Sequence, residues 1–370
     1  MKKLSSIIAI ITTISILSLK VTAQGCVAIR GAGAACMLQH DEQQNSTGWS
    51  FTSNLRYFKS NKHFSGKEYN ETRIEKGTEV VNHSAAVDLA LTRVFNNRWS
   101  AMIDVPILNN ARSSQYEHGL INGVNAFNQR HSTHSFGMGD VRIAAYRWML
   151  DPAKSKKFNF QLGLGIKFAT GDYDYKDYWY NVGPGGTKEL RTVDQSIQLG
   201  DGGTVFTAEL NTYLNISKHL NAYGNLYYLV NPREQNGVRT YRETLVASLA
   251  NEAICSVPDQ YMARVGANYS FGGIRGLSVS GGLRWEGIPV YDVIGGSGDF
   301  RRPGYVMSAE PGVSYSVKSL SLFASVPVAI VRDRTQSVTD KEYSKEHGVF
   351  KQGDAAFSDY VVNIGFSVKF

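Results

Sequence analysis

The sequence predicts an all-β protein: a 12-stranded antiparallel transmembrane β-barrel with short periplasmic turns and long extracellular loops. Three observations predict it. Apolar and polar side chains alternate over stretches of about ten residues, a period of two that a helix cannot use. Twelve such stretches follow one another along the chain. The segments between them alternate short and long without exception, as they do in an outer-membrane barrel with an even strand count.

Composition removes the competing classes. Apolar residues make up 42% of the 370 and charged residues 19%, with 36 Gly and 9 Pro. A disordered chain carries more charge, and the Gly has no collagen period. The mean hydropathy of -0.24 does not suit a helical membrane protein. The one long apolar run, Ile7 to Leu19, lies between Lys2-Lys3 and Val21-Thr22-Ala23. That order reads as a secretory signal peptide, 1–23, cleaved after Ala23. The expected location is therefore the outer membrane of a Gram-negative bacterium, after signal-peptide-dependent export. Loss of Lys2, Lys3 and Lys20 takes the formal charge from +7 to +4. That balance, with no basic stripe, argues against nucleic acid.

Residues 24–48 precede the barrel, which is assigned to 49–370. Val27 to Leu38 is small and apolar and is bracketed by Cys26 and Cys36, a candidate disulfide in an oxidising compartment. Two readings stay open: a plug folded into the lumen, or a periplasmic tail. Three cysteines in all, with Cys255 the third, do not make a disulfide scaffold.

The predicted strands are 49–58, 80–94, 98–108, 138–150, 157–170, 203–216, 220–230, 260–271, 277–286, 304–317, 320–331 and 358–370. The first sets Trp49, Phe51, Leu55 and Tyr57 against Ser50, Thr52, Asn54 and Arg56. The third sets Trp99, Ala101, Ile103, Val105 and Ile107 against Ser100, Met102 and Asp104. The fourth has an undecided facing, because Arg142 and Trp148 share a parity. The fifth is the plainest. Phe158, Phe160, Leu162, Leu164, Ile166 and Phe168 alternate with Asn159, Gln161, Gly163, Gly165, Lys167 and Ala169. The eleventh carries an apolar row from Leu320 to Ile330, and the twelfth alternates from Tyr360 to Phe370. Its terminal aromatic after an alternating strand resembles the assembly signal of bacterial outer-membrane barrels. Trp49, Trp99, Phe158 and Phe370 fall toward the short-turn rim; Tyr57, Phe168, Tyr261 and Trp285 fall toward the other. Amphipathic rings belong at headgroup level, so two girdles are expected.

Three segments resemble a narrower group, the transporters of the MetA-pathway phenol-degradation family, distantly similar to fatty-acid transporter barrels. They are Leu91-Thr92-Arg93-Val94-Phe95-Asn96-Asn97-Arg98-Trp99 with Val105-Pro106, Gly137 to Arg142, and Leu162 to Asp172. The family usually has proline where this chain has Ala169. The resemblance implies a barrel and a general transport role, and it transfers no binding residue.

The polar faces of the strands place Arg56, Asp88, Asp104, Arg142, Lys167, Glu209, Arg264, Arg284, Glu286, Glu310, Asp359 and Lys369 as lumen-lining candidates. Six are basic and six acidic, which argues against a ring of one sign and a strongly anion-selective pore. Paired charges filling a small barrel, or a narrow channel for a small neutral or amphipathic solute, would fit.

In the loops, a helix is expected over 240–254 from the stripe Tyr241, Leu245, Leu249. Asp172, Asp174 and Asp177 lie close enough in sequence to be weighed as a Ca²⁺ site, and His131 and His134 as a metal pair. Neither outweighs an ordinary surface loop, so no metal and no cofactor are expected. No enzyme is expected either: Gly-x-Ser-x-Gly is absent, and His83 is the only strand histidine aimed at lipid. The function expected is an outer-membrane channel or transporter for a small solute, hydrophobic or aromatic. The alternative is a non-transporting surface barrel, an adhesin or structural protein, acting through its extracellular loops. Expected partners are outer-membrane lipid, the barrel-assembly machinery through the strand ending at Phe370, and an unidentified small solute.

Overall fold

In a computed structural model the twelve alternating stretches become twelve antiparallel strands of one closed wall. The described residues are 47–370, apart from 119, 122–123, 126–128, 242–244, 246–248 and 250–251. The signal peptide, the segment with Cys26 and Cys36, and most of the helix expected at 240–254 lie outside them.

The strands are β1 (Gly48–Ser65), β2 (Val81–Val94), β3 (Trp99–Ser114), β4 (His131–Met138 and Arg142–Trp148), β5 (Phe158–Lys167) and β6 (Val205–Asn215). They continue as β7 (Leu220–Val230), β8 (Gln260–Ser270), β9 (Leu277–Ile288), β10 (Gly304–Ala309 and Gly312–Val317), β11 (Leu320–Ser325 and Val328–Asp333) and β12 (Ala355–Lys369). Each pairs with its sequence neighbours, and β12 closes on β1 from Ser50↔Lys369 to Phe64↔Ala355. Closure leaves no sheet edge and pairs the backbone groups, which hydrocarbon demands.

Four strands run further than the apolar alternation does. β1 continues to Ser65, β3 to Ser114, β4 starts at His131 and β12 at Ala355. These extensions rise on the long-loop side; those of β1, β3 and β4 carry polar residues on both faces, as in Lys59-Ser60-Asn61-Lys62-His63, and that of β12 is the short buried Ala355-Ala356-Phe357. Backbone ladders hold them, down to pairs such as Ser114↔His131, so no hydrophobic period marks them. His131 and His134 consequently stand on a strand. Three residues apart, they point to opposite faces, so they do not form the metal pair weighed from sequence.

Prolines interrupt two strands. β10 breaks at Glu310-Pro311 and β11 at Val326-Pro327, since proline has no N–H for the ladder. The chain stays stitched there: Val326 N donates to the Pro311 carbonyl and Val361 N to that of Pro327, both at 3.0 Å.

The facings agree with the alternation. On β5 Leu164 is 70% exposed on the outer face, while Gln161 and Gly163 are buried within. On β4, where parity alone did not decide, Arg142, Ala144 and Tyr146 are buried inside and Arg147 is exposed outside. Trp148 also faces in, packed edge-on against Tyr213 with ring centroids 5.6 Å apart. Trp49, Trp99, Phe158 and Phe370 are exposed at the short-turn rim, as are Tyr57, Phe168 and Trp285 at the other. No helix among the described residues is long and apolar enough to cross a membrane; the crossing elements are strands.

Glycines let the interior fill. A Cβ on Gly163 would meet the Tyr146 ring at 2.6 Å, and one on Gly266 would meet Tyr223 Oη at 2.5 Å. Each tyrosine lies flat against the wall where its neighbour has no side chain.

The long loops fold over the outer mouth. A two-strand hairpin pairs Lys176–Trp179 with Glu189–Thr192. A second hairpin joins Gln235–Arg239 to Ile254–Ser256. Ile254 is thus a strand residue and Thr240 is not helical, so the two ends of the helix expected over 240–254 are not part of one. A helix unmarked by any apolar stripe, Val338–His347, starts instead in the last long loop. Its capping box is reciprocal: Ser337 Oγ accepts from Asp340 N, and Asp340 accepts from Ser337 N. Gly348 ends it at φ 67°, the left-handed position that glycine takes most cheaply.

Candidate functional site: the lumen and its outer mouth

The inward faces of the strands bring charges of both signs into contact at mid-barrel. Arg142 on β4 pairs with Glu209 on β6, and Tyr146 Oη donates to the same carboxylate at 3.0 Å. Arg264 on β8 forks onto Glu310, with Nε 2.8 Å from Oε2 and Nη2 3.0 Å from Oε1. Ser325 Oγ also donates to Glu310, at 3.3 Å. Arg284 makes the same bidentate contact with Glu286, at 2.9 and 2.8 Å. All six charged groups are under 10% exposed. Two guanidiniums sit over aromatic faces, Arg142 5.7 Å from the Tyr227 centroid and Arg264 5.9 Å from that of Tyr223. Planar forks on carboxylates and on rings are what arginine offers and lysine does not.

This charged layer separates two cavities. Along β5, Gln161 lines a lower cavity of about 310 Å³ that opens among Trp49, Trp99 and Phe370 at the short-turn rim. Gly163 pairs with Glu209. Lys167, two inward positions higher, lines an upper cavity of about 260 Å³. Loops cover the upper cavity, and its lining is two-sided. Asp104, Asp140, Arg142, Lys167 and Asp201 line one side; Tyr227, Leu229, Tyr305, Val306 and Phe357 supply apolar surface on the other, with Glu286, Arg301 and Arg302 among them.

The candidates named from sequence divide as follows. Arg142, Glu209, Arg264, Arg284, Glu286 and Glu310 come together in the layer. Lys167 lies above it, held by Asp140 at 2.7 Å and Asp201 at 2.5 Å. Asp104 lines the upper cavity. Arg56 is buried on the inner face of β1, with Asp88 half-buried beside it on β2. Asp359 is drawn to the upper wall by Lys62 at 3.5 Å, and Lys369 lines the lower cavity. Sequence reasoning missed Asp140, Asp201, Asp194, Arg301, Arg302 and Arg112, most of them in loops. Arg112 had a signal: it continues the inward parity of Leu108 and Asn110.

The outer mouth is knitted by further buried pairs. Arg112 forks onto Glu117 at 2.6 and 3.2 Å, and Tyr241 Oη donates to Glu117 at 2.7 Å. Arg302 forks onto Asp194 at 2.8 and 3.0 Å. Burial alone would raise the Asp194 carboxyl, but Arg112 and Arg302 outweigh it and hold it well below the usual range. Arg301 clamps Asp292 at 2.7 Å, both side chains fully buried. The three carboxylates weighed as a Ca²⁺ site go separate ways. Asp172 accepts from Asp174 N, Asp174 from Thr192 Oγ1, and Asp177 from His134 N. On the outer wall, His83 Nδ1 lies 2.9 Å from Tyr57 Oη.

His118 sits at the centre of an aromatic cluster in this mouth. It packs on Trp179 with centroids 5.1 Å apart, and its Nδ1 accepts from Tyr180 N at 3.1 Å. Burial pushes the imidazole down to about 4. A histidine whose folded value is depressed contributes stability above its unfolded value near 6.5, and that stability is lost as pH falls toward 4. The amide of Tyr180 is therefore expected to exchange at least tenfold faster at pH 5 than at pH 7, after correction for intrinsic rates. Exchange independent of pH in that window would contradict this reading of His118.

No family model matches the sequence, and no curated protein matches it. The fold does have counterparts. The COG4313 outer membrane channel from Pseudomonas putida F1 superposes with a TM-score of 0.56 over 89% of this chain and 99% of that one, at 9% identity. This chain has the fold of an outer-membrane channel. The β domain of the Bordetella autotransporter BrkA aligns with a TM-score of 0.45 at 11% identity, over 88% of this chain and all of that one. The P. putida toluene transporter TodX aligns at 0.44 and 10% identity, over 95% and 96%. With this architecture the apolar outer face is the lipid face, and the short-turn rim corresponds to the periplasmic side.

Proposed function

We propose that the barrel is an outer-membrane channel for a small amphipathic solute. The observation that carries this reading is the upper cavity. Above a layer of ion pairs, its charged side faces one where apolar surface is interspersed with Glu286, Arg301 and Arg302, so a solute with a polar end and an apolar body would satisfy both. The volume of about 260 Å³ limits the solute to a small molecule. The balanced charge supports neither an anion nor a cation pore. The layer below would act as the constriction, passing solute only as its pairs shift.

Single-channel recording in planar bilayers, paired with uptake of a small aromatic acid into vesicles, tests this. Low conductance with saturable uptake is expected. Steady high conductance would make the protein an open diffusion pore. Absence of both would favour a surface barrel acting through its loops.

Assembly is proposed to depend on the last residue. Phe370 N donates to the Trp49 carbonyl and Trp49 N to that of Phe370, both at 2.9 Å, at the foot of the β1–β12 seam. Removing Phe370 is expected to lower the folded, heat-modifiable band on a gel several-fold. Unchanged folded yield would dismiss the assembly role and leave the barrel intact.

A further inference from the structure

The fold gathers charge that the chain scatters. The five short turns carry Lys154, Lys156, Lys157, Lys218, Arg275 and Lys318, and the barrel brings them to one rim. Arg98 adds a seventh cation. Asp151 is the one side-chain carboxylate in these turns, and it accepts from the Ala153 N–H of its own turn at 3.1 Å. Lys154, Lys156, Lys157, Lys218 and Arg275 are exposed and make no ion pair among the described residues. The opposite rim differs: loop 168–204 alone has six carboxylates against three cations.

A second feature lies just inside the basic rim, on its outward face. The Arg93 guanidinium sits 5.3 Å from the Trp49 ring centroid, and that of Arg147 sits 5.3 Å from the Trp99 centroid. Both tryptophans are exposed in the girdle, where indoles meet lipid headgroups. A guanidinium that meets a ring through its π face has N–H groups left to turn toward a phosphate.

We propose that the short-turn rim is a docking surface for anionic phospholipids. Their phosphates would rest on the two Arg–Trp pairs, with the turn lysines drawing further negative headgroups around the ring. A soluble polyanion could meet the lysines, but Arg93 and Arg147 face outward at the depth of the tryptophans, where lipid is the molecule in reach. Lipid therefore explains both features at once.

The test uses the purified full chain in mixed vesicles of phosphatidylglycerol and phosphatidylethanolamine, with lipid retained after detergent extraction read by native mass spectrometry. Wild type is expected to retain phosphatidylglycerol at least fivefold over phosphatidylethanolamine. Arg93→Gln with Arg147→Gln should abolish most of the preference, and Lys154→Gln, Lys156→Gln and Lys157→Gln should reduce it. Should the arginine variants fold poorly, 1 M salt on wild type should remove the preference as well. Equal retention of the two lipids by wild type overturns the proposal. So does a preference that survives both the substitutions and salt. Lysine-dependent binding of peptidoglycan fragments with no lipid preference would assign the rim to a polyanion instead.

Discussion

Arg264→Met is expected to destabilise the barrel by about 3–5 kcal/mol, because it leaves Glu310 buried and charged with its bidentate partner gone. Glu310 keeps only the Ser325 hydroxyl at 3.3 Å and the more distant Arg284. Arg264→Met with Glu310→Met should recover most of that loss, since an apolar pair of similar volume carries no desolvation cost. Urea unfolding in detergent micelles, followed by tryptophan fluorescence, measures both. Additive losses in the double variant would mean that the two groups do not interact. The double variant should also conduct more than wild type if the charged layer is the constriction, and an unchanged current would separate the stability role from the gating role.

Leu164→Arg is expected to cost roughly 2–4 kcal/mol, the penalty for a guanidinium on a lipid face near the bilayer mid-plane. Leu164 is 70% exposed, on the face that meets lipid. Gln161→Arg, three residues away on the same strand, should cost well under half as much, because Gln161 borders the lower cavity and a longer side chain can extend into it. Equal losses would mean that β5 is out of register by one, since a single-residue slip exchanges every facing.

The part of the barrel that meets lipid is legible in sequence because two solvents act on its two faces. Lipid outside and a packed polar lumen inside force Leu164 and Gly163 to opposite sides, and the period of two records it. Above the membrane, water or protein lies on both sides of Lys59 to His63, so the strand continues with nothing to mark it. The candidate site shows the same divide. Arg264 and Glu310 are visible as inward charges on strands, but their pairing is a matter of spatial neighbours that chain order does not reveal. Asp194, Arg301 and Arg302 belong to loops with no period at all. Their contacts are set by how three separate loops meet over the mouth. The lone Pro311 and Pro327 could have been read as strand breaks, since proline cannot donate to a central ladder.

The seam between β1 and β12 has a consequence for the order of folding. β1 is the first strand of the barrel in chain order and, at 18 residues, the longest. Its partner on one side, β2, follows at once, but its other edge waits for β12, the last strand of all. Until then that edge is a row of unpaired amides flanked by Trp49, Phe51 and Leu55, a template for the wrong strand. The contact that completes the barrel is also the one with the greatest sequence separation, so its closure entropy must be met before it contributes anything. A chain built this way cannot finish folding from its own beginning. Until that last pairing forms, the chain is at its most exposed to aggregation and to proteases.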